Sequence, residues 1–385
     1  MSNTIDELLS LLEKYNGINS KSKLSEIVKT ELHLIKDSTV YYNQNFAIRF
    51  SSSANKNCSN TVISLSRLQK YDQKPFIVCI VTPSKNYVLI ANTTFLKKIS
   101  HTSQKLRIDN IRGSFNVSDI HKTYLGVENN QENFEYLFNI HNNISFENNL
   151  MRLVEATNNI VPSGEKYSLT PQQKKIVLKA PKRAEAFCQS DEFLTLKADL
   201  DKRVKNFSNE IMLAAFIENV NVRGRIIEYL IAGDDEKLRK NIASSLHNKS
   251  QNIPKFSTKN DLGDYYRKFE NFETTTDIKT KILTLGSNPK AYNIDKILEF
   301  LGSEKTIFMF YFVGINPENN ISTAMISIFQ NQLLDSTITI KHWAGRNSRG
   351  VTQFEGNTIN KLIQQPNNDI DIKKSIDFLK QLISI

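Results

Sequence analysis

The spacing of apolar residues changes near Asp37. Before it, residues 5–13 (IDELLSLLE) and 24–35 place apolar side chains at helical intervals, which predicts two amphipathic helices. After it come short apolar or alternating runs at 46–50 (FAIRF), 62–65, 76–81 (FIVCIV) and 87–91 (YVLIA), separated by Asn, Ser, Lys and Pro. These predict strands, with Pro83-Ser84-Lys85-Asn86 as a hairpin turn. Residues 92–99 predict a short helix capped by Asn92 or Thr93, and 146–160 a longer one. Residues 1–162 therefore form an expected α+β domain with antiparallel strands. Val161-Pro162-Ser163-Gly164 is the candidate linker.

Beyond the linker the texture is α/β. Residues 171–177, 184–187, 193–207 and 208–231 predict helices, the last with Ser208 as N-cap and Gly233 just past its end. A further helix is expected at 236–247. Strands follow at 264–269, 272–283 and 307–315 (IFMFYFVGI), the last apolar throughout and so expected to be buried on both faces. A helix at 291–301 between the second and third makes a β-α-β step. Edge strands at 324–329 and 337–340 and an amphipathic helix at 370–383 complete a mixed sheet flanked by helices, expected over residues 163–385.

Composition narrows the class. The 385 residues are 39% hydrophobic and 23% charged, which fits neither a disordered nor a fibrous chain. No run of about 18 apolar residues occurs, so no membrane partner is expected. Residues 1–12 lack a basic start and an apolar core, so no signal peptide is read. Cys58, Cys79 and Cys188 are too few for a disulfide framework and too dispersed for zinc, which suits a reducing cytoplasm. Fifty Lys+Arg against 40 Asp+Glu leave a net charge of +10, compatible with a polyanionic partner or with a basic solvated surface.

The chemistry concentrates in Asp264-Tyr265-Tyr266 and Thr276-Asp277-Ile278-Lys279-Thr280-Lys281. Asp264 opens one expected strand and Asp277 lies inside the next. Lys279 follows Asp277 by two residues, on the same face of the sheet. Strands about 4.8 Å apart bring two carboxylates and an ammonium together. Carboxylates so close repel one another without a cation between them, and oxygen-only ligation suits Mg²⁺. Asp264 capping a turn and Asp277–Lys279 as a cross-strand ion pair on a solvated face are the structural alternatives. Lys281 continues the same face, and its offset from Asp277 makes it the lesser candidate.

Asp264, twelve intervening residues, then Asp277-Ile278-Lys279 resembles the PD-(D/E)xK nuclease superfamily, the core of most type II restriction endonucleases; Gly263 stands at its nominal proline. Such nucleases often carry a further glutamate on the helix before the first catalytic strand. Glu228, among Ile226, Ile227, Leu230 and Ile231, fits that position. Glu218 competes for it, and pairing of Glu228 with Arg223 or Arg225 is the alternative use. The resemblance spans residues 208–315 and implies a restriction-endonuclease-like domain. It also implies sequence-specific, Mg²⁺-dependent cleavage of double-stranded DNA. In that reading Asp264 and Asp277 are metal ligands, Lys279 positions water and Glu228 completes the outer shell. Cutting both strands calls for a homodimer or for sequential nicking by a monomer, and the family implies a cognate DNA methyltransferase. A non-catalytic DNA-binding regulator with a nuclease-like core and a structure-specific repair nuclease are the other readings.

Arg346, Asn347, Arg349 and Gln353, on a polar stretch with Gly345 and Gly350, are side chains suited to base edges. Its alternative is a hairpin loop with Trp343 packed on the core. Arg107 and Arg112 mark a second candidate DNA-reading loop in the N-terminal domain. A basic stripe at Lys174, Lys175, Lys179, Lys182 and Arg183 could follow a phosphate backbone. No GxxxxGK[ST] loop exists, which argues against a P-loop ATPase.

Overall fold

A computed structural model describes residues 2–53, 63–99, 113–162, 164–165, 167–248, 253–256, 262–316, 318, 320–342 and 345–385. Arg107, Arg112 and Trp343 lie outside the described residues. The chain divides into two compact units, Met1–Glu165 with His342–Asn347, and Lys166–Lys341 with Ser348–Ile385.

The first unit is α+β. Its elements are α1 (Ser2–Lys14), α2 (Lys21–Glu31), β1 (Ile35–Asp37), β2 (Val40–Tyr42), β3 (Ala47–Ser52), β4 (Ile63–Ser64), α3 (Leu65–Tyr71), β5 (Phe76–Val81), β6 (Asn86–Ile90), β7 (Ser114–Phe115), β8 (Thr123–Tyr124), β9 (Val127–Glu128), α4 (Phe134–Asn142) and α5 (Phe146–Asn158). One sheet runs in the order β1-β2-β3-β5-β6. The expected antiparallel sheet is in fact mixed, because β3 and β5 pair in parallel. The reason is α3, which the apolar pattern did not reveal. A helix between two strands carries the chain back to start the second in the same direction. The β5–β6 hairpin follows expectation, with Val81 opposite Asn86 across the turn.

The second unit begins with α6 (Pro171–Leu178), α7 (Ala180–Cys188), α8 (Asp191–Asn206), α9 (Ser208–Ala215), α10 (Val220–Ala232) and α11 (Glu236–His247). There follow β10 (Tyr265–Lys268), β11 (Glu273–Ile282), β12 (Lys290–Asn293), α12 (Ile294–Leu301), β13 (Thr306–Ile315), β14 (Ile321–Ser327), α13 (Asn331–Asp335), β15 (Thr337–Lys341), β16 (Gly350–Phe354), α14 (Gly356–Gln364) and α15 (Ile372–Ser384). The main sheet is mixed, ordered β10-β11-β13-β14, with β11 and β13 parallel and both outer pairs antiparallel. All ten residues of β13 are buried. Phe308, Phe310 and Phe312 enter one apolar cluster with residues of α6, α7, α12, α14 and α15. Met309, Tyr311 and Val313 enter the other, with residues of α8 to α11. The unbroken apolar run thus lies between two helical layers, and each phenylalanine contributes on the order of 2–3 kcal/mol by leaving water.

Two expected helices start differently. The stretch 208–231 is two helices, because Asn219 turns out of the helix and its Oδ1 accepts from the amides of Asn221 (3.1 Å) and Val222 (3.2 Å). The expected 291–301 helix begins at Ile294, after Asn293 caps the amides of Asp295 and Lys296 and the preceding residues pair as β12.

Candidate functional site

The site forms where β10 parts from β11. The ladder ends as the Asp264 amide donates to the Thr276 carbonyl at 2.9 Å. Instead of continuing as a strand, Asp264 then turns its own carboxylate onto β11, where Oδ2 accepts from the Ile278 amide at 2.7 Å. Gly263 makes this turn possible. A Cβ there would lie 2.5 Å from the Thr275 methyl and 3.1 Å from the Thr276 carbonyl oxygen. Behind the fork, Tyr265 donates its hydroxyl to Asp199 on α8 at 2.5 Å, and Arg267 donates to the same carboxylate at 3.2 Å. These bonds tie the short edge strand to a helix. Asp199 precedes Tyr265 by 66 residues, and no spacing rule would have connected them.

Asp277 is buried, and Lys279 reaches back along the same face to its Oδ1 at 2.6 Å. The two residues do pair, but within one strand and with Asp277 buried, not across strands on a solvated face. Burial pushes the Asp277 carboxyl well above the usual carboxylate range, and Asp264 adds to the shift while Lys279 opposes it. Glu228 comes from α10. Burial, then the charge and hydrogen bonding of Asp264, push it up to about 8, with Lys279 and Arg225 pulling the other way. Asp264 therefore raises the pKa of both carboxyl groups. Glu218 is exposed in the turn before α10, so Glu228 is the helix acid that joins the group. The two arginines are engaged elsewhere. Arg223 donates to the carbonyls of Ala215 (3.5 Å) and Ile217 (3.3 Å), and Arg225 to that of Phe256 (3.4 Å).

Lys281 has a different task. Its ammonium is buried and donates to the carbonyls of Leu285 (2.6 Å) and Ser287 (2.8 Å) and to the Ser287 hydroxyl (3.2 Å). It closes the loop after β11, and burial lowers its pKa.

Among the described residues, no group of three or more His, Cys, Asp or Glu side chains is arranged to hold a metal ion. At the fork, one oxygen of Asp264 is engaged by a backbone amide and one of Asp277 by Lys279. The donor set is nevertheless of the right chemistry for a hard cation. Its acids are close enough to hinder one another's ionisation, and a divalent ion relieves that repulsion.

The other candidate residues are distributed. Arg346 is exposed, and Asn347 accepts from the Gly164 amide at 3.2 Å. Arg349 lies within 3.2 Å of Asp295, the two side chains being only 12% and 11% exposed, and donates to the Tyr167 carbonyl at 2.7 Å. Gln353 is a residue of β16 and donates to the Asn288 carbonyl at 2.7 Å. Arg349 and Gln353 are thus engaged within the fold. Gly350-Val351-Thr352-Gln353-Phe354 forms a strand, buried at its first, third and fifth positions, where a polar DNA-contact loop was expected. In the basic stripe, Lys174, Lys175, Lys179 and Lys182 are exposed, while Arg183 donates to the carbonyls of Ile176 (2.8 Å) and Leu301 (3.0 Å).

Compared with models of known protein families and with curated protein sequences, the chain matches none. Among the described residues, no helix is long and apolar enough to cross a membrane.

Proposed function

We propose that this chain is a type II restriction-type endonuclease, a Mg²⁺-dependent enzyme that cuts double-stranded DNA at a defined sequence, built on a PD-(D/E)xK core. One observation carries the reading: Asp264 from the turn before β10, Asp277 and Lys279 from β11, and Glu228 from α10 interact at one fork in the sheet. The parallel return from β11 through α12 to β13 supports it, since it supplies the element order the motif calls for.

In this reading Asp264 and Asp277 would hold Mg²⁺, with Glu228 in the outer shell. When bound, the ion offsets the charge of the scissile phosphate and lowers the pKa of the attacking water. Lys279 orients that water and donates to the charge that develops on the phosphate oxygens. Asp277 fixes the Lys279 ammonium for this role. The Ile278 amide holds Oδ2 of Asp264, so the other oxygen of that carboxylate would be the one to meet the ion. Arg346, exposed in the stretch that follows β15, is a DNA contact. Cleavage of both strands calls for a homodimer, and protection of the host genome calls for a companion methyltransferase.

The test is incubation of mapped phage DNA with the protein and Mg²⁺. A ladder of discrete fragments is expected, and Lys279→Ala should lower the cleavage rate at least about 100-fold. Binding in Ca²⁺ should survive that substitution. Binding without cleavage in Mg²⁺ or Mn²⁺ would leave a DNA-binding regulator, and cutting governed by branching would indicate a structure-specific nuclease. Undiminished cleavage by Lys279→Ala would remove the site assignment.

A further inference from the structure

Burial of an arginine is ordinarily matched by acceptors. Arg152 donates to the carbonyls of Leu96 and Thr93, both at 2.9 Å, and Arg183 to those of Ile176 and Leu301. Arg49, on β3, is not matched. It is half-buried, its Nε is buried without an acceptor, and among the described residues no carboxylate pairs with its guanidinium. The charge that bears on it is another cation: burial and then Arg67 lower its pKa.

Register places the surrounding groups on one face of the sheet. In the β1–β2 ladder Asp37 lies opposite Val40, and the β2–β3 register that pairs Tyr41 with Ile48 brings Val40 beside Arg49. Residues opposite one another share a face, so Asp37 and Arg49 stand on the same side, two strand spacings or about 10 Å apart. Tyr42 shares that side by alternation, and its ring lies 5.0 Å from that of Tyr71 on α3. Helix α3 therefore covers this face. From it Arg67 donates through Nη1 to Oδ1 (2.9 Å) and the carbonyl (3.0 Å) of Asp37, and Lys70 and Tyr71 donate to Oδ2 at 2.8 and 2.7 Å. Lys70, then Tyr71 and Arg67, hold the Asp37 carboxyl well below the usual carboxylate range. Asp72, at the end of α3, is buried and its carboxylate is taken by Thr93 and Asn92. Arg49, Arg67 and Lys70 thus face the single acid Asp37, which fixes Arg67 and Lys70 and leaves Arg49 unanswered.

We infer that Arg49, with Arg67 beside it, forms a phosphate-binding site in the first unit. The inference is independent of the fork. A guanidinium presents paired donors that match two phosphate oxygens, and it sheds water more readily than an ammonium, which suits a half-buried position. Phosphate has oxygens and charge enough for both arginines, whereas a carboxylate offers two oxygens and one charge. The group is supplied by a DNA backbone or by a free phosphate compound, and the test separates the two.

The full-length protein is melted in EDTA at fixed ionic strength with inorganic phosphate or with acetate, and a short duplex DNA is titrated by anisotropy in Ca²⁺. Arg49→Met keeps the length of the side chain and removes the charge. Without phosphate it should melt no lower than wild type, since no partner is lost. In wild type, phosphate should raise the melting temperature and acetate should not. Arg49→Met should abolish that response, and Arg49→Lys should weaken it at least about tenfold in phosphate concentration. A phosphate response lost in Arg49→Met assigns the site to a free phosphate compound. A response to DNA alone, weakened at least about tenfold by Arg49→Met, assigns it to the backbone. If neither response differs between wild type and Arg49→Met, or if acetate acts as phosphate does, the site is overturned. It is equally overturned if Arg49→Met melts lower than wild type in phosphate-free buffer, because Arg49 then serves the fold.

Discussion

Lys279 and Lys281 stand two residues apart on the same strand, and their surroundings assign them opposite work. Lys281 is saturated by two carbonyls and a hydroxyl; Lys279 faces a carboxylate at the fork. Lys281→Ala should therefore cost about 1–3 kcal/mol in urea unfolding, the penalty for leaving buried acceptors unpaired. Glu228 adds a pH dependence of defined sign. Its carboxyl lies near 4.5 when unperturbed and near 8 in the folded, metal-free protein, so folding favours the protonated form. That contribution is complete below about pH 4.5 and is lost as pH rises through about 8. Asp277 acts in the same direction. Without metal, the melting temperature should fall between pH 6 and pH 9, and Glu228→Gln should flatten much of that fall. Added Ca²⁺ should do likewise in wild type, by taking the place of the proton. A slope unchanged in Glu228→Gln would show that its carboxyl is not the group that titrates.

At the scale of elements, the fork depends on how closely β10's leading turn lies against β11. Gly263→Ala should cost about 1–3 kcal/mol, because its methyl would meet the Thr275 methyl at 2.5 Å. Thr275→Ser removes that methyl and should restore part of the loss in the double variant, as read by thermal melting. Without such rescue, the tight spot is the Thr276 carbonyl instead. The same elements show what a sequence reader can and cannot see. The residues 264–269, 272–283 and 307–315 were legible as strands because they are rich in β-branched and aromatic residues, and the offset from Asp277 to Lys279 was legible because strands repeat every two residues. β1, with two exposed residues of three, and the seven-residue α3 carry too little periodic signal to be distinguished from loops. The break at Asn219 was hidden because a capping asparagine resembles any polar helix position until its side chain is seen bonded to the next turn. Arg349 was misleading for a related reason. A residue suited to guanine is equally suited to a buried carboxylate, and Asp295 lies 54 positions earlier.

For the whole molecule, the net charge of +10 includes the three acids at the fork, so under the proposed reading, with a metal offsetting them, the rest of the surface would be more basic than the total suggests. Affinity for DNA should fall with salt at about 0.9 log units per phosphate contact for each log unit of salt. About five contacts would give a slope near −4.5, measurable by anisotropy between 50 and 200 mM salt. A flat response would mean that the excess lysines are only solvated surface. What no reading of single residues revealed is the dependence of the fork on distant chain: Asp199 on α8 holds β10, and α12 returns the chain to pair β13 in parallel. Strand β13 also carries a kinetic consequence. Its ten residues are uncharged, contain no proline and are rich in aromatics, the profile of a segment that self-associates when bare. Its neighbour β14 is made only after it, and its parallel partner β11 lies across a connection that loop-closure entropy makes slow to pair. A nascent or partly refolded chain therefore exposes this strand before both its edges are covered. Glu304 and Lys305 stand immediately before it as charged gatekeepers. Refolding yield should consequently drop with protein concentration more steeply when both are replaced by Val, although neither belongs to the buried core.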